Sequence, residues 1–300
     1  MNKRLRGGLA PVIAALALMA LAGGSIAVAD DEALDTLETV KARGTLEVAL
    51  YDAFPPYSYK ADKGGPSGVD VDLARALAEK LGLQTKVRLF PADESMGDDL
   101  RNNLWKGHYL GGGVADVMLH VAADPKFAAQ EDKVAFFGAY FNEAVTVVYH
   151  PDRMEAFESP MALSTQKVGV EIDSISDYYL SGAFNGRLRT AAVRHGSLVE
   201  AVTAFKNGEV DAVMAPRGEL QGLMSAADFG KVEFKQQELV GLFRTSWDIG
   251  MAVKQADDTA LRDALDKALE DLKTEGRLAE IFAAHGVDYV APSTALAGGS

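Results

Sequence analysis

Residues 197–214 read SLVEAVTAFKNGEVDAVM, and this stretch decides the fold class. Ser197 suits a helix cap, Val199, Val202 and Phe205 recur at helical spacing, and Gly208 ends the pattern. Val210 to Met214 is then a short apolar run, the pattern of a buried strand in a parallel sheet. Earlier in the chain, Gly113-Val114-Ala115-Asp116-Val117-Met118 repeats the ending: a glycine, an aspartate beside Val and Ala, and an apolar run reaching a methionine. Two halves that close on the same phrase are what two related βαβ lobes would show.

The alternation extends in both directions. Thr45–Tyr51 reads as a strand that stops at the loop Phe54-Pro55-Pro56-Tyr57, and Val69–Leu81 reads as a helix stopped by Gly82. Lys86–Phe90 is a second strand, Ser95 caps a helix running through Trp105, and Val114–His120 is a third strand. Lys167–Glu171 and Ile249–Val253 are further strands. Two helices follow, Asp258–Thr274 with Leu261, Leu265, Leu269 and Leu272, then Gly276–His285. The fold class is α/β, with mostly parallel sheets and helices on both faces. The small-residue tail 291–300 is expected to be disordered.

Residues 1–29 read as an export signal. Lys3, Arg4 and Arg6 precede the apolar run Ala10–Ala22, which is short of the roughly 20 residues a bilayer span needs. Ala27-Val28-Ala29 supplies the small residues of a cleavage site. The chain's formal charge of −13 becomes −16 without the three basic residues of that segment. Such a balance excludes binding to phosphate backbones and anionic membrane surfaces. With no cysteine there is no disulfide framework and no thiolate nucleophile. His108, His120, His150, His195 and His285 show no pairing suited to zinc, and Asp93, Glu94, Asp98 and Asp99 read as helix-capping acids. Neither a metal nor a cofactor is expected. Gly111–Gly113 lacks the Lys-Ser/Thr of a phosphate-binding loop.

The order of segments resembles family 3 of the periplasmic solute-binding proteins, with the type II fold. The likeness rests on Gly44–Val48 with the Phe54–Tyr59 loop, Gly68–Leu73, Lys206–Val213, and Leu272–Leu278 with Ile281-Phe282. It implies a periplasmic protein with a ligand cleft between two lobes. Lobe 1 would be discontinuous (45–142 plus 246–290), lobe 2 would be 143–245, and hinges would lie near Phe141–Thr146 and Phe243–Asp248. The charged anchors of an amino-acid binder are missing. Where the resemblance puts an arginine for the α-carboxylate, the chain has Asp124-Pro125-Lys126, and where it puts an aspartate, Pro216-Arg217. The second-lobe loop Glu171-Ile172-Asp173-Ser174-Ile175 matches in part. A zwitterion should therefore bind weakly.

Trp105 to Gly113 is longer than in that family, and the run Asp93–His120 resembles the binding-protein-like component of methanol-oxidation gene clusters. That likeness implies an accessory of a quinoprotein (pyrroloquinoline-quinone-dependent) methanol dehydrogenase, met through Trp105, His108, Tyr109 and Leu110. A ligand-delivering subunit of an ATP-driven (ABC) importer is the alternative. A cleft enzyme using Glu171 or Asp173 is a third reading and the least favoured. Candidates for the cleft are Phe54, Tyr57 and Tyr59, which could stack on a planar ligand, with His120, Asp173, Ser174 and Arg217.

Overall fold

The computed structural model describes residues 37–62, 64–224, 229–239, 245–256 and 258–293. The export-signal segment, Phe243 of the second expected hinge and the tail from 294 lie outside the described residues. Strands β1 (Thr45–Tyr51), β4 (Gln84–Phe90) and β5 (Val117–Ala122) pair in parallel, β1 in the centre. Strands β7 (Val168–Glu171), β8 (Ala192–His195) and β9 (Ala212–Pro216) pair in parallel likewise, β7 in the centre. Every antiparallel pairing of the large sheet involves β6 (Val134–Tyr149) or β11 (Ser246–Lys254). A two-residue hairpin, β2 (Tyr59–Lys60) with β3 (Pro66–Ser67), stands apart from that sheet, and β10 (Glu233–Gln236) pairs with β6.

Alternation along the strands sorts side chains into layers. Leu46, Val48 and Leu50 of β1 enter one core with Leu73 and Leu77 of α2 (Val69–Lys80) and the leucines of helix Ala260–Thr274, whereas Ala49 faces a second core with Leu100, Leu104 and Met118. In the second half Ala212 and Met214 face Tyr179 and Leu180, and Val213 and Ala215 face Leu198, Ala201 and Phe205. Each half is thus a sheet with helices on both faces. Helix Leu198–Lys206 is rotated relative to the sequence expectation. Ala201, Val202 and Phe205 are buried while Val199 is 49% exposed, because Leu198 and Ala201 supply the apolar stripe instead.

The repeated Asp explains itself. Asp116 Oδ2 accepts from Glu47 N at 2.7 Å while Asp116 N donates to Glu47 O at 2.9 Å. Asp211 Oδ2 accepts from Lys167 N at 2.7 Å while Asp211 N donates to Lys167 O at 2.8 Å. In each half this aspartate closes the start of one strand onto its parallel neighbour and satisfies an N–H that the ladder would leave open. The third strand starts later than Val114 because Asp116 is spent on this bond. Ser293, expected in the loose tail, donates to Asp248 Oδ1 at 3.0 Å.

The two halves share one strand. The first part of β6 pairs with β11, from Val134–Lys254 to Ala144–Ser246, and Val145–Tyr149 pairs with β9. Sequence patterning did not reveal β6, since a strand buried over most of its length shows no alternation. Helix α7 (Arg217–Leu223) of the second half leans on the first. A side chain at Gly222 would meet the Pro56 ring at 2.3 Å, and Gln221 Nε2 donates to Asp288 at 2.7 Å.

If the repeated aspartates act this way, Asp211→Ala should lower stability in urea denaturation by about 1 kcal/mol, the usual net worth of one such bond. Asp116→Ala should cost about 2–3 kcal/mol, because Asp116 is buried and also takes a charged bond from Arg43. Equal, negligible losses would show that the ladder alone sets the strand starts.

Candidate functional site

Two β-bulges facing Gly250 build the floor of the cleft. On β5, Leu119 pairs with Met251 and Val121 with Gly250, which leaves His120 as the extra residue, with φ +59°. On β6, Phe137 pairs with Met251 and Phe141 with Ile249, so the segment bearing Tyr140 also arches out of register. Bulges re-aim side chains, and here they bring two to one carboxylate. Asp70, fully buried in the first turn of α2, accepts from Tyr140 Oη at 2.7 Å and pairs with His120 Nδ1 at 2.8 Å. The Tyr140 hydroxyl also accepts from His120 N at 3.0 Å, so the amide freed by the bulge is satisfied.

Glu143 lies on β6 where the ladder changes partner, and it is 2% exposed. Its carboxylate accepts from Tyr57 Oη at 2.5 Å, from Gly218 N at 3.1 Å and from Ala144 N at 2.9 Å. The donors come from the Pro-Pro loop, α7 and β6 itself. Position 218 must be glycine, since a Cβ there would sit 2.1 Å from the Tyr57 hydroxyl. Burial and the Glu143 charge push the Tyr57 phenol well above its usual range, so it remains a donor.

Around this floor lie two cavities. One, of about 430 Å³, is walled by Tyr51, Asp52, Phe54, Tyr57, His120 and Ile249 among others. The other, of about 330 Å³, is walled by Glu171, Ser174, Ile175, Leu198 and Pro216 among others. They meet at Ala122, Glu219 and Trp247, which line both. Phe54 stands edge-on to His120 at 4.8 Å, and Tyr57 lies 4.3 Å from the same ring. Among the described residues that line the two cavities are Asp52, Glu143, Glu171 and Glu219, and no lysine or arginine.

The structure brings Phe54, Tyr57, His120 and Ser174 to these cavities, Ser174 also capping the helix Ile175–Gly186. It places Tyr59 on the β2–β3 hairpin and Asp173 on the exposed turn ahead of that helix, neither among the residues lining these two cavities. Arg217 lies behind the floor, its Nη2 donating to Asn142 O at 2.9 Å and its guanidinium 5.7 Å from the Phe141 ring. Sequence reasoning missed Glu143, Glu219 and Trp247. Glu219 lies just beyond the proline that replaces the expected aspartate, and Trp247 opens the last strand; both were visible signals. Glu143 gave none, because its role depends on β6.

The lengthened segment forms a separate feature. Arg101–Trp105 is a π-helical turn, Trp105 is half-buried, and Gly107 to Gly113 carries Tyr109 and Leu110 87% and 77% exposed. His108 packs on Tyr109 at 4.4 Å, and its Nδ1 accepts from Leu110 N. A polar cavity of about 440 Å³ lies beneath it, lined by Arg88, Asp93, Asp99, Asn102 and His108 among others.

Two lobes on a shared strand, with the cavities where they meet, can be set beside known proteins. Over 83% of this chain and 99% of the other, the structure superposes on an ancestral cationic amino acid solute binding protein with a TM-score of 0.65 at 21% identity. The fold is that of a type II periplasmic binding protein. Residues 46–104 match the bacterial extracellular solute-binding proteins, family 3. The L-arginine-binding protein of Pseudomonas aeruginosa is 24% identical over 82% of this chain and 89% of its own length. A shorter stretch, 23% of this chain, is 42% identical to the membrane-bound lytic murein transglycosylase F of Sodalis glossinidius, but spans only 14% of that enzyme. Among the described residues of this binding-protein fold no helix is long and apolar enough to cross a membrane, and no acid or histidine cluster is suited to a metal.

Glu219 is the anomalous group of the cleft. Burial, and then the charges of Glu143 and Glu171, hold its carboxyl well above the usual range. A carboxyl raised on folding contributes stability that is full below the unfolded value and lost as pH rises through the folded one. Glu219→Gln should therefore raise the melting temperature at pH 8 and leave it nearly unchanged at pH 4, as scanning calorimetry over that range can check. A variant no more stable than the parent at pH 8 would mean that Glu219 is solvated in the free protein.

Proposed function

We propose that this protein is exported to the periplasm and carries a small organic solute in the cleft between its lobes, as the binding subunit of an ATP-driven importer. The observation that carries the reading is the pair of joined cavities on the strand common to both lobes, walled by Phe54, Tyr57 and Trp247. Volumes of this order suit metabolites, and apolar walls with a few placed polar groups are the usual make-up of such sites. The likeness to an arginine-binding protein along 82% of this chain supports it, as does the fold. We take the lobes as 45–142 plus 246–290 and 143–245, the hinge falling within β6 and ahead of β11. Among the described lining residues the serine, Ser174, accepts a helix-cap bond from Asp177 N and is not paired with a histidine, which favours carrying over catalysis.

A solute that binds the folded form at 100 times its Kd should stabilise it by about 2.7 kcal/mol. A panel of amines, amino acids, sugars and organic acids, read by thermal shift, should therefore contain at least one clear stabiliser. If no member shifts the melting temperature, the carrier reading fails.

One observation favours a second reading. Tyr109 and Leu110 leave large apolar surface in water on a glycine-flanked loop, a pattern that marks a protein contact. As an accessory of a quinoprotein methanol dehydrogenase, the protein would meet the enzyme through this loop with His108 and Trp105. Deleting 108–113 should leave folding nearly intact, since loop length affects stability weakly, but abolish co-purification with the dehydrogenase. Undiminished capture by the deletion variant would remove the loop from that role.

A further inference from the structure

The walls of the cleft also define the charge of its occupant. Glu219 lines both cavities at their junction, half-buried, and no hydrogen-bond donor among the described residues reaches its carboxylate. Glu143, close enough for its charge to act on Glu219, is already satisfied by Tyr57 and Gly218, so it adds negative potential without spare donors nearby. Glu171 adds more from the second-lobe side. Asp52 faces the first cavity, and His120, the one basic lining residue among those described, has its imidazole paired to Asp70. A half-buried carboxyl without a donor keeps its proton until a cation arrives to take the proton's place. A ligand carboxylate would meet only like charge and no guanidinium fork.

We propose that the cleft binds an organic cation: a small amine with an aryl or alkyl body and no carboxylate. Its ammonium lies against Glu219 and Glu171, and its body against Phe54 and Trp247. The aromatic faces reinforce the choice, since an ammonium beside a tryptophan or tyrosine ring gains further attraction in a desolvated site. Tyr57 serves as wall and donor to Glu143 and is not free to recognise an acceptor on the ligand. The inference rests on the carrier reading and narrows it, because the two solute-binding proteins named above are by name amino-acid binders, whereas this cleft, among its described lining residues, offers a carboxylate no lysine or arginine.

Three probes with one body separate the possibilities: 2-phenylethylamine, L-phenylalanine and 3-phenylpropionate, titrated calorimetrically into the full chain at pH 7.5, with hexylamine and putrescine as alkyl counterparts. At least one amine should bind with a Kd of about 100 μM or tighter. Phenylalanine should bind at least tenfold more weakly than phenylethylamine, and phenylpropionate not at all. Glu219→Gln, which keeps the shape and removes the charge, should weaken the amine at least tenfold, and Glu171→Gln should weaken it less. If phenylalanine or phenylpropionate binds as tightly as the amine, or Glu219→Gln retains full amine affinity, the cation assignment is overturned while the carrier reading stands. If none of the amines binds but another solute of the wider panel does, the assignment likewise falls alone. If no solute binds, both fall together.

Discussion

One buried carboxylate holds the geometry of this protein together. Glu143 sits on the strand that both lobes share, two residues before Val145, where its hydrogen-bonding partner changes from β11 to β9. It receives the Tyr57 hydroxyl from the first lobe's Pro-Pro loop and the Gly218 amide from the second lobe's α7. A charged group this deep is tolerable only when its lone pairs are filled, so the loop and the helix must both stay in place. The glycines of α7 then follow from sterics: Gly218 and Gly222, one turn apart, let Tyr57 and Pro56 come within contact of the helix backbone.

The same economy shapes the other wall. Gly250 lies opposite a bulge on each neighbouring strand, and a Cβ there would sit 2.9 Å from Phe137 O. The bulges deliver His120 and Tyr140 to Asp70, converting what would be an unpaired buried charge into a closed network. With Asp70 and Glu143 both satisfied by protein donors, Glu219 is the cavity-lining carboxyl that no donor among the described residues reaches, and the proposed cation is placed there for that reason. On that proposal the chemistry of the cleft is a remainder: what the fold has not neutralised is what a solute would supply.

The binding-protein fold also sets limits on function. Its relatives include carriers and at least one enzyme, and the fold alone does not choose between them. What distinguishes this chain is the composition of its cavity walls and the exposed Tyr109–Leu110 loop, two features on different parts of the molecule. The proposed solute cleft and the proposed contact through the exposed loop are compatible in one chain, and each can be tested without disturbing the other.

The alternation of helix and strand was legible in the sequence, because period-2 and period-3.6 patterns follow directly from which side chains must leave water. So was the repeated Asp before each buried strand, whose carboxylate fills the same N–H in both halves. Phe54, Tyr57 and His120 could be marked as cleft residues from a Pro-Pro loop and a strand end. The pattern could not show β6, which is buried over most of its length, nor the bulges that turn His120 and Tyr140, since a bulge changes register without changing composition. Arg217 read as a cleft residue and proved to sit behind the floor, while Glu219 two residues on lines it. A helix start fixes which residues follow one another but not which way they face. That direction is set by the contact of α7 with Pro56 and Tyr57, residues far away in the sequence, and only the tertiary structure brings them together.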